Sequence, residues 1–530
     1  MTIPRLLLVS LMCLAGSCYS NSYSQEKNPV WIYFSGKGEV NTPPQEYFSA
    51  PALERRAALG IGPFDQTDLP VKEEYLSIIS HYCVELCGSS RWLNAALVIA
   101  SEDQLQEISR FPFIKDIQPS FSTGLVQAQV IPAFYDLPDE ELARQQLAWH
   151  EAELLREKNL SGKGICIAVF DGGFPGVDTH PAFVHLHQNN QIVATWDFAR
   201  QSTDVYKYNA HGTAVLSCIA GYAGLQPTGL APDAKFLLAR TEISGEPWKE
   251  ELYWIQAAEW ADKMGANIIS SSLGYTYHRY FVRDMTGHDT PVAKAANIAA
   301  RKGILVVNCI GNDGNKDWKY AVTPADADSV LSVGGINPDT GIHIEFSSYG
   351  PNMSGSLKPN VVASGKVMAA SPRKWKTLYG TSFSATLIAG FAACAWQLNP
   401  SMNNMEIFDL IQRSGHLYPY YDFAHGYGIP KASKLLSNGG ENKTEVKSSL
   451  KVSSEAGSIK VEIEDEELKD PTKWHYLYFN LRDANDKIVR YGIYQIQSGL
   501  PVIIEIKESE NIKSCYLRTE ASFQIFKILS

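Results

Sequence analysis

Four short segments of this 530-residue sequence carry side chains that could act together on a carbonyl group. Asp171 and Asn312 each follow a short apolar run, whereas His211 and Ser382 each precede a longer apolar run. A serine hydroxyl is a weak nucleophile until a neighbouring imidazole takes its proton, and a carboxylate can hold that imidazole in place. Asn312 could donate its amide N–H to the oxyanion, with the backbone N–H of Ser382 as a second donor. The four residue types therefore suggest acyl-transfer chemistry.

Each segment taken alone also has a structural interpretation. Asp171 precedes two glycines and could begin a turn, Ser382 could be a helix N-cap, and Asn312 opens a common turn tripeptide. His211 alone is most simply a structural histidine. The combination is more specific than its parts. No Gly-x-Ser-x-Gly elbow occurs in the sequence, which excludes the esterase and lipase interpretation.

The elements that must position these residues alternate between buried strands and helices. Apolar runs without alternation are typical of strands buried on both faces of a parallel sheet. They occur at ICIAVF (165–170), FLLA (236–239), NIISSSL (267–273), ILVVNC (304–309) and VLSVGG (330–335). Helical segments at 249–264 and 291–302 fall between them, and the second has Pro291 at its start and Gly303 after its end. The pattern predicts an α/β domain over residues 146–438, a layered parallel sheet flanked by helices, with Asp171 at the carboxyl end of a strand.

Seven segments of this region resemble the subtilisin family (subtilases) of serine peptidases. They are IAVFDGG, HGTAVLSCIAG, GLAPDAKFLLART, NIISSSLG, IGNDGN, FSSYGP and GTSFSATLIAG. The order Asp, His, Ser along the chain is also that of subtilisin, and differs from the orders in chymotrypsin and the α/β-hydrolases. The resemblance implies a subtilisin-like fold and a serine endopeptidase. It implies Ser382 as nucleophile, His211 as general base and then acid, and Asp171 as the residue that orients His211.

The same resemblance assigns residues around the reacting group. Asn312 becomes the oxyanion donor. Ser272, Leu273 and Gly274 match the family's segment that pairs with the substrate backbone, a form of strand addition that suits extended protein or peptide substrates. No cofactor is required for this chemistry. Many relatives bind structural calcium, but no Asp-x-Asp-x-Asp-Gly loop is present, so no metal ligand is assigned.

Two further domains are predicted on either side of the peptidase domain. Residues 28–120 have a β-α-α-β-α order, which predicts a small α+β domain, and 121–145 is predicted to be a linker. The first domain resembles the propeptide of subtilisin-like enzymes, which implies an intramolecular inhibitor; the alternative is a permanent N-terminal domain. Residues 445–530 alternate polar and apolar side chains and predict a β-sandwich. It loosely resembles secretion-sorting domains, and a carbohydrate- or protein-binding module is the alternative.

The N-terminus predicts export. Residues 1–20 contain a basic start, the apolar run LLLVSLMCL and then small residues, which is the pattern of a signal peptide. The protein is therefore predicted to be secreted or exposed at the cell surface. Cys18 follows Ala-Gly-Ser, a loose match to a lipoprotein cleavage box, so lipid anchoring is an alternative. No later stretch reaches the roughly 20 apolar residues of a transmembrane helix.

Composition excludes other classes of function. The net charge is −10 and the pI is near 5.7, which argues against a nucleic-acid partner because phosphate binding needs a basic face. The sequence thus predicts a secreted serine endopeptidase made as a zymogen. The alternative is a non-catalytic binding or assembly protein on the same fold.

Overall fold

The N-terminal domain is an antiparallel sheet with helices packed on it. The structure is a computed structural model, and it describes residues 28–120, 139–243, 247–276, 279–437, 450–455, 457–463, 475–496, 500–520 and 522–528. Its sheet has the strand order β2-β3-β1-β4. The elements are β1 (Asn28–Phe34), α1 (Pro44–Tyr47), α2 (Ala50–Ala58), α3 (Glu73–Ser80), β2 (Glu85–Ser90), β3 (Ala95–Ala100), α4 (Glu102–Ser109) and β4 (Ile114–Pro119). The predicted signal segment 1–20 and Cys18 lie outside the described residues.

The central domain contains a seven-stranded sheet in which every described strand pair is parallel. The strand order is β13-β12-β11-β10-β5-β9-β6. The elements up to the centre of the domain are α5 (Glu140–Ala148), α6 (Ala152–Glu157), β5 (Cys166–Asp171), α7 (Val184–Gln188), β6 (Ile192–Asp197), α8 (His211–Ala220), β7 (Tyr222–Ala223), β8 (Gln226–Pro227) and β9 (Lys235–Arg240). They are followed by α9 (Pro247–Met264), β10 (Ile268–Ser271), α10 (Pro291–Arg301), β11 (Leu305–Cys309), β12 (Val330–Ile336), β13 (Val361–Ser364), β14 (Lys366–Ser371), β15 (Lys374–Tyr379), α11 (Thr381–Leu398), α12 (Asn404–Arg413) and α13 (Ala432–Leu436). This architecture confirms the predicted fold class.

Helices on both faces of the sheet explain its unbroken apolar strands. In β5, Ile167 and Val169 pack in the cluster that contains α8 and α11, whereas Ala168 and Phe170 pack in the cluster that contains α9 and α10. All four side chains are fully buried. Because successive side chains point to opposite faces of a strand, both alternating sets must be apolar here.

The C-terminal domain consists of two antiparallel sheets that enclose one apolar cluster. Its strands are β16 (Leu450–Glu455), β17 (Ser458–Ile463), β18 (Tyr476–Arg482), β19 (Ile488–Gln495), β20 (Val502–Glu505), β21 (Ser514–Arg518) and β22 (Phe523–Lys527). Buried polar contacts join it to the central domain. The Tyr420 hydroxyl donates to the Phe479 carbonyl oxygen (3.0 Å), and Asn480 Nδ2 donates to the Tyr421 carbonyl oxygen (2.8 Å).

The predicted linker and the central domain meet within a helix. Residues 121–138 of the predicted linker 121–145 lie outside the described residues, and α5 begins at Glu140. Gln146, the predicted first residue of the central domain, is fully buried. Its Nε2 donates to the Thr228 carbonyl oxygen (2.8 Å), and its Oε1 accepts from the Met368 N–H (2.9 Å). Leu142 and Ala143, in the last part of the predicted linker, also pack in a cluster with Ala223 and Met368 of the central domain.

Candidate active site

His211 and Asp171 meet at the carboxyl edge of the central sheet. Asp171 is the last residue of β5 and is fully buried, and His211 is the first residue of α8. His211 Nδ1 lies 2.8 Å from Asp171 Oδ2 and 3.0 Å from Oδ1. A Cβ at position 212 would lie 2.4 Å from the Gly173 carbonyl oxygen, so only glycine allows α8 to start this close to β5.

The carboxylate next to His211 stabilises the protonated imidazole. Burial lowers the pKa of His211, but the charge and hydrogen bond of Asp171, together with the charge of Glu242, outweigh it and raise the pKa to about 9. An N–H on Nδ1 donates to the Asp171 carboxylate, which leaves Nε2 on the opposite side of the ring without a hydrogen bond to the described residues.

Ser382 lies in the first turn of the long buried helix α11, where the ring of the following residue, Phe383, contacts the ring of His211. The ring centroids of His211 and Phe383 are 5.8 Å apart. Within the described part of the chain, the Ser382 hydroxyl makes one hydrogen bond, to the Ser272 carbonyl oxygen at 3.5 Å, and none to His211. In return, the Ser272 hydroxyl donates to the Ser382 carbonyl oxygen (2.9 Å). Catalytic hydrogen bonds are often long before substrate binds, so this arrangement is compatible with a nucleophile awaiting its base.

Asn312 is oriented with its side-chain oxygen towards the first N–H of α11, so its amide N–H groups point away from that N–H. Its Oδ1 accepts from Thr381 N (2.9 Å) and from Thr381 Oγ1 (3.0 Å). These two bonds set the amide orientation, because an oxygen must accept them. Nδ2 is therefore the atom available to a ligand. The N–H of Ser382 belongs to the first turn of α11, whose N–H groups lack partners within the helix.

The predicted substrate-binding residues share one cavity with Ser382 and Asn312. The cavity has a volume of about 200 Å³. It is lined by Glu242, Ser272, Leu273, Gly274, Thr276, Cys309, Gly311, Asn312, Asp313, Asn315, Lys316, Val322, Phe346, Tyr379, Gly380 and Ser382. The structure thus brings the predicted nucleophile, amide donor and strand segment to one place, with the His211–Asp171 pair adjacent.

Sequence reasoning gave no role to Glu242, which lines this cavity. Burial raises the pKa of Glu242, and the negative charges of Asp171 and Glu250 raise it further, to about 8. A signal for it was present in the sequence. Glu242 follows the apolar run FLLA by three residues, and Asp171 was selected because a carboxylate at the carboxyl end of a buried strand lies at the usual site of an α/β sheet.

Neither a metal centre nor a membrane span is found in the described part of the structure. Among those residues, no group of three or more His, Cys, Asp and Glu side chains could hold a metal ion. None of the helices in the same ranges combines the length and the apolar character that crossing a bilayer requires.

Two family profiles match the chain. The Subtilase family (Peptidase S8) profile matches residues 162–428, and the profile of the Peptidase S8 propeptide domain of Bacteroidota matches residues 29–130. Among curated proteins, serine protease AprX of Bacillus subtilis is 28% identical over 300 residues, covering 50% of this chain and 64% of AprX. Subtilisin Savinase of Lederbergia lenta is 28% identical over 261 residues, covering 48% of this chain and 85% of that protein.

A similar solved structure is MycP1 from Mycobacterium smegmatis. It has a TM-score of 0.45 and 20% sequence identity, and the alignment covers 59% of this chain and 89% of MycP1.

Proposed function

Since the chain belongs to the subtilase family of serine endopeptidases, which need no cofactor for catalysis, we propose that it cleaves extended polypeptides with Ser382, His211 and Asp171. The observation that supports this most is the His211–Asp171 pair. One imidazole nitrogen lies 2.8 Å from a buried carboxylate, and the other is left for the hydroxyl of Ser382. A histidine held in this way accepts a proton on Nε2 and is stabilised as an imidazolium by the carboxylate.

The reaction begins with attack of Ser382 Oγ on the carbonyl carbon of the scissile peptide bond. The hydroxyl proton moves to His211 Nε2 as the new C–O bond forms. The oxyanion of the tetrahedral intermediate accepts hydrogen bonds from Asn312 Nδ2 and the Ser382 N–H. His211 then gives its proton to the leaving amine, the C–N bond breaks, and a water molecule repeats the sequence to release the acid and regenerate Ser382.

Substrate binding would also free the Ser382 hydroxyl for this step. The hydroxyl contacts the Ser272 carbonyl oxygen at 3.5 Å, which is a long and weak hydrogen bond. A peptide strand paired with Ser272, Leu273 and Gly274 would place its own N–H groups on the carbonyl oxygens of this segment. The hydroxyl would then turn to His211.

We also propose that the N-terminal domain inhibits the enzyme until it is removed. It is docked on α9 and the neighbouring turns by an apolar cluster that includes Trp31 and Trp92 of the N-terminal domain and Leu252 and Ile255 of α9. A backbone hydrogen bond from Ser49 N to the Lys263 carbonyl oxygen (2.9 Å) crosses the same contact. Such a contact can keep the connection after β4 close to the central domain.

A buried network of charges completes the docking contact. Arg55 and Arg56 of α2 both bind the Asp262 carboxylate, and Asp68 binds Arg56 and Lys302 (2.8–3.0 Å). Asp68 and Asp262 are fully buried. The pKa of Asp68 is held far below its usual range: burial would raise it, but the hydrogen bond with Arg56 and the charge of Lys302 prevail. The Asp68 carboxylate therefore stays ionised at neutral pH.

For the whole chain, we propose secretion or exposure at the cell surface. The signal pattern of residues 1–20 supports this location, and so does the similarity to the minor extracellular protease Epr of Bacillus subtilis. The C-terminal sandwich is given no catalytic part in this proposal.

Labelling with a fluorophosphonate probe tests the proposed function. The processed protein should be labelled and should hydrolyse casein, whereas Ser382→Ala should do neither. Ser384→Ala is the matched control, since its hydroxyl lies in the same helix but donates to the Ser364 carbonyl oxygen (3.0 Å). Ser382→Ala should also retain the N-terminal domain on the same polypeptide. Absence of labelling and of casein hydrolysis in the processed protein would favour a non-catalytic binding protein instead.

A further inference from the structure

The Glu242 carboxylate lies beside the catalytic pair and faces the cavity. It follows the end of β9, where Thr241 N donates to the Asp171 carbonyl oxygen (2.9 Å) and so fixes this segment next to β5. A Cβ built on Gly172 would lie 3.0 Å from Glu242 Oε2, which places the carboxylate against the residue that follows Asp171. Glu242 also lines the cavity that contains Ser382.

Glu242 differs from the neighbouring acidic residues because it has no partner. No hydrogen bond or ion pair joins its carboxylate to any of the described residues. Glu250, in contrast, accepts from Ile243 N (3.1 Å) and lies 3.3 Å from Arg279 Nη2. Asp313, on another wall of the cavity, is 2.9 Å from Lys316 Nζ. A largely buried carboxylate without a partner is costly when ionised, and a cation brought by a ligand would remove that cost.

We propose that Glu242 is a specificity-determining residue, whose carboxylate pairs with the side-chain cation of a substrate lysine or arginine near the scissile bond. This inference depends on the proposed peptidase function and adds a substrate preference to it. The position of Glu242 limits which substrate side chains can contact its carboxylate. An extended peptide advances about 3.3 Å per residue, so only side chains within about two residues of the scissile bond can reach a carboxylate that lies this close to Asp171.

Two described cations in this region, Arg279 and His211, do not fill this role. Arg279 is engaged by Glu250 and lies 3.4 Å from Glu251 Oε1, and the His211 ring is turned towards Asp171. Burial and the charges of Asp171 and Glu250 raise the pKa of Glu242 to about 8, so the carboxyl is poised to ionise when a cation arrives. Hydrogen bonds to charged groups in such sites correspond to discrimination of about 10- to 100-fold against a neutral analogue.

Paired peptide substrates test this inference. In each pair, one peptide carries arginine and the other carries its neutral analogue citrulline at the same position, within two residues of the scissile bond. The rest of each peptide is uncharged. The processed protein should cleave the arginine peptide with a kcat/KM about 10- to 100-fold higher at one of these positions. Glu242→Gln should reduce this ratio to near one while the citrulline peptide is still cleaved. Glu345→Gln, which removes an exposed carboxylate of the same domain, should leave the ratio unchanged.

The ratio of kcat/KM for the arginine peptide to kcat/KM for the citrulline peptide separates an effect on specificity from an effect on catalysis. Both members of a pair meet the same His211 in each variant, so any change in its proton affinity cancels. A ratio near one at every position in the unmodified protein, or a preference that survives in Glu242→Gln, would overturn the inference. If the protein also fails to react with a fluorophosphonate and cleaves neither peptide, the proposed function itself is wrong. Labelling with cleavage of both peptides at equal rates would refute only the role of Glu242.

Discussion

Replacing Asp262 by asparagine should loosen the N-terminal domain without touching the cavity. Asp262 lies on α9, is fully buried, and binds Arg55 and Arg56 of α2 through separate oxygens. Asparagine keeps the shape of the side chain and one oxygen acceptor, but it removes the negative charge. Two arginine side chains in a buried network then share one neutral partner where they had a carboxylate.

The remaining contacts set the size of the effect. Removing one partner of a buried ion pair costs about 3–5 kcal/mol because the other charge is left uncompensated. Here Arg56 still binds Asp68 (2.8 Å), and Arg55 Nε still donates to the Lys302 carbonyl oxygen (3.0 Å). We therefore expect the lower end, about 3 kcal/mol, which corresponds to about a hundredfold shift in the docking equilibrium.

Hydrogen exchange in the full-length Ser382→Ala background measures this shift. The Ser382→Ala variant keeps the chain intact, and the amide of Ser49 reports the contact because it donates to the Lys263 carbonyl oxygen. Peptides that cover Ser49 and α2 should exchange up to a hundredfold faster with Asp262→Asn. Asp233→Asn, at an exposed position, is the control and should change nothing. Equal protection in both variants would refute the view that this network holds the domain in place.

Three other outcomes follow from the site and the domain contacts. Burial lowers the pKa of His211, but Asp171 raises it to about 9. Since only the neutral imidazole accepts a proton, kcat/KM on an uncharged peptide should rise about tenfold per pH unit up to about pH 9. A plateau already at pH 7 would contradict this. Asn312→Ala should lower kcat by about 10²–10³ with little change in KM, and a rise in KM alone would assign Asn312 to ground-state binding. Tyr420→Phe, which removes the donor to the Phe479 carbonyl oxygen, should lower the free energy of unfolding by about 1–3 kcal/mol in a urea titration, and an unchanged midpoint would show that this domain contact adds no stability.

Buried strands were the best predicted elements because their environment is uniform. The run ICIAVF corresponds to β5 and VLSVGG to β12, within one residue at each end. Among the strands that were not predicted, two show a physical reason. β6 is the edge strand of the central sheet and is mostly half-exposed, and β2 of the N-terminal domain reads ELCGSS with a bulge near Gly88. Polar residues interrupt both strands, so neither gives the unbroken apolar run that predicts a buried strand.

The predicted site residues share a property that the charged residues of the docking contact lack. Asp171 ends a strand and Ser382 begins a helix, so the local sequence is enough to place them at the carboxyl edge of the sheet. The charge network depends on pairs that no local pattern reveals. Arg55 and Asp262 are 207 residues apart in the chain, and their contact follows only from the docking of two separately predicted domains.

Helix α9 connects the proposed active site with the N-terminal domain. At its start, Glu250 accepts from the N–H of Ile243, next to Glu242 in the cavity wall, and at its end Asp262 binds the N-terminal domain. Leu252 of this helix packs against the N-terminal sheet. Ala258 of the same helix packs in the cluster that contains Phe170 of β5. A docked N-terminal domain can therefore hold α9 against a sheet whose parallel pairings are formed by distant segments and are slow to assemble. We therefore expect the contact to aid folding in addition to the proposed inhibition.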